Sequence, residues 1–350
     1  MSLTEIEIFD QYDALEKTYE YLLANAPRIK QFYKKHKPKS LAFIGCGSSL
    51  CQCRSAEMSA KIRLPIPAVS IAGGDLLVNY PHYKKMLKGA MLIAPTRSGT
   101  TSEVVLSIKK LKRDLKSPCI CVCCRENSEL SEIADLTLVI PWAFDRSVCQ
   151  TRSVTNIYAA NLLMVAAMAE DKLLFKEVGA AIKNGPKFIK ASQAVLRKIG
   201  SQKSWDNVVV LADSELEGIG GSAALHFKEI AIVPAQYYHI LDVRHGPIVL
   251  IDKKTLVVMA CSPFEISLQK DLVKDLKKRG AFVLTISLKT KNDFGADLNL
   301  RVPVYENLAV AGIPFIFAPQ LLSYCKGVAR GLNPDLPRGL DPWIVLKGKS

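Results

Sequence analysis

Residues 43–54 read FIGCGSSLCQCR, and residues 92–104 read LIAPTRSGTTSEV. Each begins as a short apolar run, passes through a turn of glycines and small hydroxyls, and continues into a helical pattern. Apolar runs of this length, uninterrupted by polar residues, are typical of strands buried on both faces of a parallel sheet. Outward from these two junctions the same grammar repeats. Ser40–Gly45, Ile66–Ile71, Ala90–Ala94, Pro118–Cys124 and Leu136–Pro141 read as strands. Helices are expected near 49–63, 101–113, 153–169 and 175–199. Strand and helix alternation of this kind predicts an α/β fold of three layers, a parallel sheet sandwiched by helices as in flavodoxin-like and Rossmann-like proteins.

The second half repeats the order. Asn207–Ala212, Thr255–Ala260, Ala281–Ser287 and Leu298–Pro303 are strand-like, with helices expected at 221–232, 268–279 and 313–330. Leu41 and Val208 are 167 positions apart and Gly89 and Thr255 are 166 apart, a near-constant offset that points to a duplicated domain. The expected division is a helical extension over 1–37, a first domain over 38–199 and a second over 200–350.

Composition narrows the function classes. The 350 residues are 49% hydrophobic and 23% charged, which is ordinary globular composition. No uncharged apolar stretch of about 18 residues is evident, so no membrane-spanning helix is expected. The acidic, amphipathic start MSLTEIEIFD is unlike a secretory signal. Ten cysteines, four of them in PCICVCC, read as small buried hydrophobes of a reducing cytoplasm; alternation places Cys119, Cys121 and Cys123 on one side of a strand. No spacing fits a zinc site. The charge of +14, from 47 basic and 33 acidic residues, favours anionic partners. The bases lie on helix surfaces without interleaved aromatics, so a nucleic-acid partner is not expected.

The two junctions carry the chemistry. A helix N-terminus offers unpaired N–H groups and a favourable dipole to an anion, and glycine allows close approach. Ser48 and Ser49 in the first turn, with Thr96, Ser98 and Thr101 in the second, predict a phosphate pocket at a switch point of the sheet. Ser and Thr before a helix are also ordinary N-caps, but one cap needs only one of them. GCGSSL lacks the third glycine of the dinucleotide fingerprint, and TRSGTT lacks the ending of a P-loop, so no nucleotide cofactor is expected.

These motifs resemble the SIS (sugar isomerase) domain family in its double-domain branch. The marks are GCGSS, TRSGTTSE, DRSVCQTRSVT, GSAALHFKEIA, RHGPIVLID and LPRGLDPWIVL, in an order that covers about Pro38–Lys347. The branch includes the isomerase half of glucosamine-6-phosphate synthase, amino-sugar phosphate deaminases and fructosamine-6-phosphate deglycases. The resemblance implies that Ser48, Ser49, Thr96, Ser98 and Thr101 hold a sugar phosphate. Arg97, where the synthase has glutamine, would add charge to it. Glu229 matches the carboxylate that moves a proton between C1 and C2, and His245 the ring-opening histidine that a partner subunit supplies in the synthase. Asp145 and Thr151 match sugar-lining positions, and Cys46, His226 and Arg244 are further lining candidates.

By itself Glu229 reads as a solvated helix charge and His245 as a loop residue. Their spacing of sixteen is consistent with a helix end and a following loop facing one cleft, and burial of Glu229 on an apolar face would raise its pKa toward that of a useful base. There are departures from the pattern. His226 stands where the synthase has lysine, Ser222 where it has glutamate, and Pro342 at the place of a tail lysine. With no glutaminase domain before residue 38, the synthase reaction is not expected. The implied activity is cofactor-free isomerisation or isomerising deamination of a 6-phosphorylated sugar by a cytoplasmic homodimer. A deglycase or a non-catalytic phosphosugar sensor are the alternatives.

Overall fold

The computed structural model describes residues 1–288, 294–342, 344 and 346. The chain divides into two units, Asp10–Gly179 with Asp341–Ser350, and Met1–Phe9 with Ala180–Leu340. We refer to them as the amino-terminal and carboxy-terminal units. The division differs from the one expected at 199/200. It falls inside the helix Lys172–Gly200, which continues without a break in the pattern, and each chain end belongs to the other half of the sequence.

The amino-terminal unit holds β1 (Ser40–Gly45), β2 (Ala68–Ala72), β3 (Ala90–Thr96), β4 (Cys119–Cys123) and β5 (Leu136–Val139), all parallel, in the order β2-β1-β3-β4-β5. Its helices are α2 (Gln11–His36), α3 (Ser48–Arg63), α4 (Gly73–Val78), α5 (Tyr80–Met86), α6 (Ser102–Leu115), α7 (Glu129–Ile133) and α8 (Arg152–Ala169); α1 (Leu3–Phe9) belongs to the other unit. The chain steps one way from β1 to β2 and the other way from β2 to β3. Right-handed crossovers therefore place the connecting helices on opposite faces. α3 packs with α8, and α8 with α2, on one face. On the other, Val104, Val105, Ile108 and Leu111 of α6 are buried with Ile44, Leu92, Ala94 and the three alternating cysteines Cys119, Cys121 and Cys123. All ten cysteines are free thiols.

The carboxy-terminal unit repeats this plan. β6 (Asn207–Leu211), β7 (Ala235–Tyr238), β8 (Thr255–Ala260), β9 (Phe282–Leu288) and β10 (Leu298–Val302) are parallel in the order β7-β6-β8-β9-β10. After the helix Lys172–Gly200, here α9, come α10 (Glu217–Glu229), α11 (Ile266–Lys278) and α12 (Gly312–Ala329). α10 and α12 pack together on one face. On the other, Ile240, Val243 and Ile251 of the β7–β8 crossover join Leu272, Val273 and Leu276 of α11. Among the described residues one helical stretch, Leu308–Ala329, has the length and apolarity of a membrane span; 94% of its most apolar window is buried within the protein. It is the core helix that covers one face of the second sheet.

The candidate phosphate cradle and the candidate catalytic pair

In the order β2-β1-β3 the connections leave β1 in one direction and β3 in the other, so a crevice opens at the carboxyl ends of these two neighbouring strands. Both predicted loops lie there. Gly47 precedes α3 with φ +54°, and Gly99 lies in the β3–α6 loop with φ +68°. A Cβ on Gly47 would meet no atom within 4 Å, which leaves open space over the turn, whereas a Cβ on Gly99 would lie 2.1 Å from Ser128 Oγ. Gly99 is thus required twice, by its backbone angle and by the serine packed against it.

Whether the hydroxyls merely cap the helices is answered by geometry. Neither Gly47 before α3 nor Thr101 before α6 makes a side-chain cap. Thr96 Oγ1 instead accepts from Gly99 N at 3.0 Å, and Ser98 Oγ accepts from Thr100 N at 3.3 Å, so these side chains shape the loop. Ser48 and Ser49 are buried at the first turn of α3, and among the described residues their hydroxyls make no hydrogen bond. Two helix N-termini without side-chain caps, approached by glycine, suit an anion.

Other predicted positions take different places. Arg97 is 3% exposed and its guanidinium is committed to backbone: Nη1 donates to Ser147 O at 3.0 Å and Val148 O at 2.9 Å, and Nη2 to Pro342 O at 2.7 Å. Phe144 lies under it, with the ring centroid 6.0 Å from Cζ. Asp145 is buried as the anchor of α8. Its carboxylate accepts from Thr151 N at 3.1 Å, Arg152 N at 2.9 Å and Ser153 N at 3.0 Å, and from the Thr151 and Ser153 hydroxyls. Asp145 and Thr151 therefore build the wall of the loop and spend polar atoms on each other. Cys46 lies against Gly73 at the start of α4, packed on the core; burial pushes its thiol up, away from the thiolate a nucleophile needs. In contrast Cys123, at the end of β4 beside Gly99, is lowered to about 7, chiefly through its hydrogen bond with Cys121.

Glu229, His226, Arg244 and His245 belong to the carboxy-terminal unit. His226 is buried on α10, and Glu229 is the half-buried last residue of that helix. Arg244 is paired with Asp275 at 2.7 Å, and His245 is exposed at the end of a short 3-10 turn, its N–H donating to Asp242 O at 2.8 Å. α10 lies on the face covered by α12, while Val243, two residues before His245, is packed with α11 on the other. The five-stranded sheet thus stands between the two segments. The reason is topological, since successive crossovers from β6 to β7 and β7 to β8 run in opposite directions.

No family model matches the chain. Among curated proteins it is 23% identical over 356 residues to the glutamine–fructose-6-phosphate aminotransferase (isomerizing) of Chlamydia muridarum, and 24% identical over 362 residues to that of Wigglesworthia glossinidia brevipalpis. Both alignments cover 97% of this chain, which spans 58% of the length of those relatives. Among solved structures, glucosamine-6-phosphate deaminase from Thermotoga maritima is 28% identical with a TM-score of 0.84, covering 99% of this chain and 100% of that one. Tagatose-6-phosphate ketose/aldose isomerase from Escherichia coli, 20% identical with a TM-score of 0.86 over 98% of both chains, shows the same fold. The SIS resemblance read from the motifs thus holds, and the two parallel five-stranded sheets are consistent with SIS units in tandem.

Sequence reasoning missed the neighbours that shape the cradle. Ser128, which caps α7 and abuts Gly99, carried the ordinary local signal of an N-cap before a helix. The partners of Arg97 carried none, because they are main-chain carbonyls 50, 51 and 245 positions away.

Proposed function

We propose that this chain is a phosphosugar enzyme, an isomerase or isomerising deaminase of a 6-phosphorylated sugar or amino sugar. The observation that carries the reading is the pair of helix N-termini without side-chain caps at the β1/β3 crevice, lined by Ser48, Ser49, Thr96, Ser98 and Thr101. A phosphate monoester dianion matches those donors in charge and size. Anchoring at the phosphate leaves the sugar carbons to extend toward a base. Glu229 is assigned the transfer of a proton between C1 and C2, a step for which a positioned carboxylate suffices. His245 is assigned to ring opening.

Because the sheet separates the two segments within one unit, the reading places His245 in the site of a second copy, as a cytoplasmic homodimer. The names of the similar solved structures, a deaminase and a ketose/aldose isomerase of phosphosugars, support the substrate class. The test is a panel of 6-phosphorylated ketoses, aldoses and amino sugars with their unphosphorylated counterparts, read by isomer and ammonia release and by thermal shift. Phosphorylated members should stabilise the protein, at least one should be converted, and the unphosphorylated ones should do neither. Equal stabilisation by both sets would remove the cradle from the reading.

A further inference from the structure

The crossover from β7 to β8 carries His245 over α11 as an arch. Val243 is fully buried with Leu272, Val273 and Leu276 of α11, and Ile248 packs on the same cluster, so both feet rest on one helix. Between the feet run two 3-10 turns, Asp242–Arg244 and Pro247–Leu250, joined by His245 and Gly246. Gly246 has φ +115°, and among the described residues a Cβ on it would meet no atom within 4 Å. The joint is therefore open and conformationally soft, and His245 stands exposed at the crest. Main-chain bonds brace it on each side, His245 N donating to Asp242 O at 2.8 Å and Val249 N to Gly246 O at 3.1 Å. A side-chain tie reaches up from the helix as well. Asp275 on α11 accepts from Arg244 Nε at 3.1 Å and from Nη2 at 2.7 Å, both on Oδ2. Asp271, one turn earlier, is held by Lys274 at 3.0 Å. Arg244 is thereby committed to the arch.

We propose that Asp275 is a positioning residue for His245, acting through Arg244. The inference rests on the reading that gives His245 the ring-opening step, and deepens it. Packing at Val243 and Ile248 fixes where the arch stands but leaves the crest free to turn about Gly246. Two donors on one carboxylate oxygen orient the guanidinium plane, and that orientation holds the backbone of Arg244, the residue before the imidazole. A partly exposed pair of this kind contributes little to folding stability, so its loss should show in the chemistry rather than in the fold. An imidazole displaced by a fraction of an ångström still reaches the sugar but is less often aligned with it, which lowers turnover and spares binding.

The experiment compares the parent with D275N, D275E, R244K, H245A and the double variant D275N/H245A. Turnover is measured on the 6-phosphosugar of the panel that the parent converts fastest, and hydrogen exchange on peptides covering residues 242–250. H245A should lose most of its turnover. D275N and R244K should each lower kcat about tenfold with KM unchanged, and D275E should recover most of that loss. Exchange over 242–250 should rise about threefold in D275N, with the denaturation midpoint unchanged. In the H245A background D275N should cost nothing further, because the two residues act as a unit. R244K and D275E carry the test if D275N does not fold. Parental kcat in D275N beside a damaged H245A, or a full further loss in the double variant, overturns the positioning and leaves the His245 reading intact. Parental turnover in H245A, or no conversion of any panel member by the parent, overturns that reading and the positioning with it.

Discussion

The two sheets have one strand order and two kinds of loop at the crevice. In the amino-terminal unit the positive backbone angles at the crevice fall on Gly47 and Gly99. In the carboxy-terminal unit the corresponding loops, after β6 and β8, place Ser214 at φ +56° and Glu265 at φ +47°. Non-glycine residues there cost about 1 kcal/mol or more each. Asp213 in the first of these loops is spent locally, accepting from Ile240 N at 3.1 Å and meeting His239 Nδ1 at 2.9 Å. Duplication supplied the crevice twice. Glycines and hydroxyls line one, while side chains and internal bonds fill the other. Topology offers a place to bind, and only the loop residues decide whether it is used.

The proposed reading assigns grip to one unit and chemistry to the other, and that contrast can be broken. E229Q alters the carboxy-terminal unit alone, so turnover on any accepted phosphosugar should fall at least about a hundredfold with ligand-induced thermal stabilisation unchanged. If binding falls in parallel with turnover, Glu229 is not the base. Next in size is complementation. Inactive E229Q mixed with inactive H245A and reassorted should regain about a quarter of parental activity, because half the sites of a mixed dimer combine both intact residues. No recovery after verified exchange would return both residues to one copy.

The glycine contrast is tested in opposite directions. G99A should destabilise by about 2–3 kcal/mol, from strain at positive φ and the clash with Ser128, and should abolish phosphate-dependent stabilisation. S214G should stabilise by about 0.5–1 kcal/mol in denaturant melts, without effect on ligand. A stability loss in S214G would mean that the second crevice needs its serine. An effect of similar size is expected at the start of α1. Burial alone would raise the Asp335 carboxyl, but hydrogen bonds from Thr4 N at 2.7 Å, Thr4 Oγ1 and Leu3 N outweigh it and leave the pKa below the ordinary range. A depressed carboxylate contributes stability at neutral pH and loses it as pH falls through its folded-state value. D335A should cost about 1 kcal/mol at pH 7, and the gap from the parent should close on acidification.

Much of the fold was legible because fully buried strands leave an apolar signature. β1, β3, β4, β6, β8 and β9 all read directly, and the near-constant offset exposed the repeat. β7 did not, because Ala-Gln-Tyr-Tyr after Pro234 is a four-residue edge strand with no apolar run. The domain division was hidden by the unbroken helix Lys172–Gly200. The hydroxyl-rich loops after β1 and β3 were visible as a surplus beyond the needs of capping. The tasks of Arg97 and Asp145 were not, since side-chain identity predicts charge and hydrogen-bonding capacity, while the partner is set by the path of the main chain. Spacing along the chain left the placement of Glu229 and His245 open for a related reason: sixteen residues are enough to carry the polypeptide through a strand and onto the far side.

The last ten residues belong to the unit that the first half of the sequence otherwise builds. A ribosome making this protein therefore finishes the amino-terminal unit only after the strands of the carboxy-terminal unit have been synthesised. A nascent chain arrested after α8 but before Pro342 would present β1 to β5 with the Arg97 fork lacking one of its three carbonyls, so premature termination would leave a folded-looking product with its Thr96–Thr101 loop incompletely fastened.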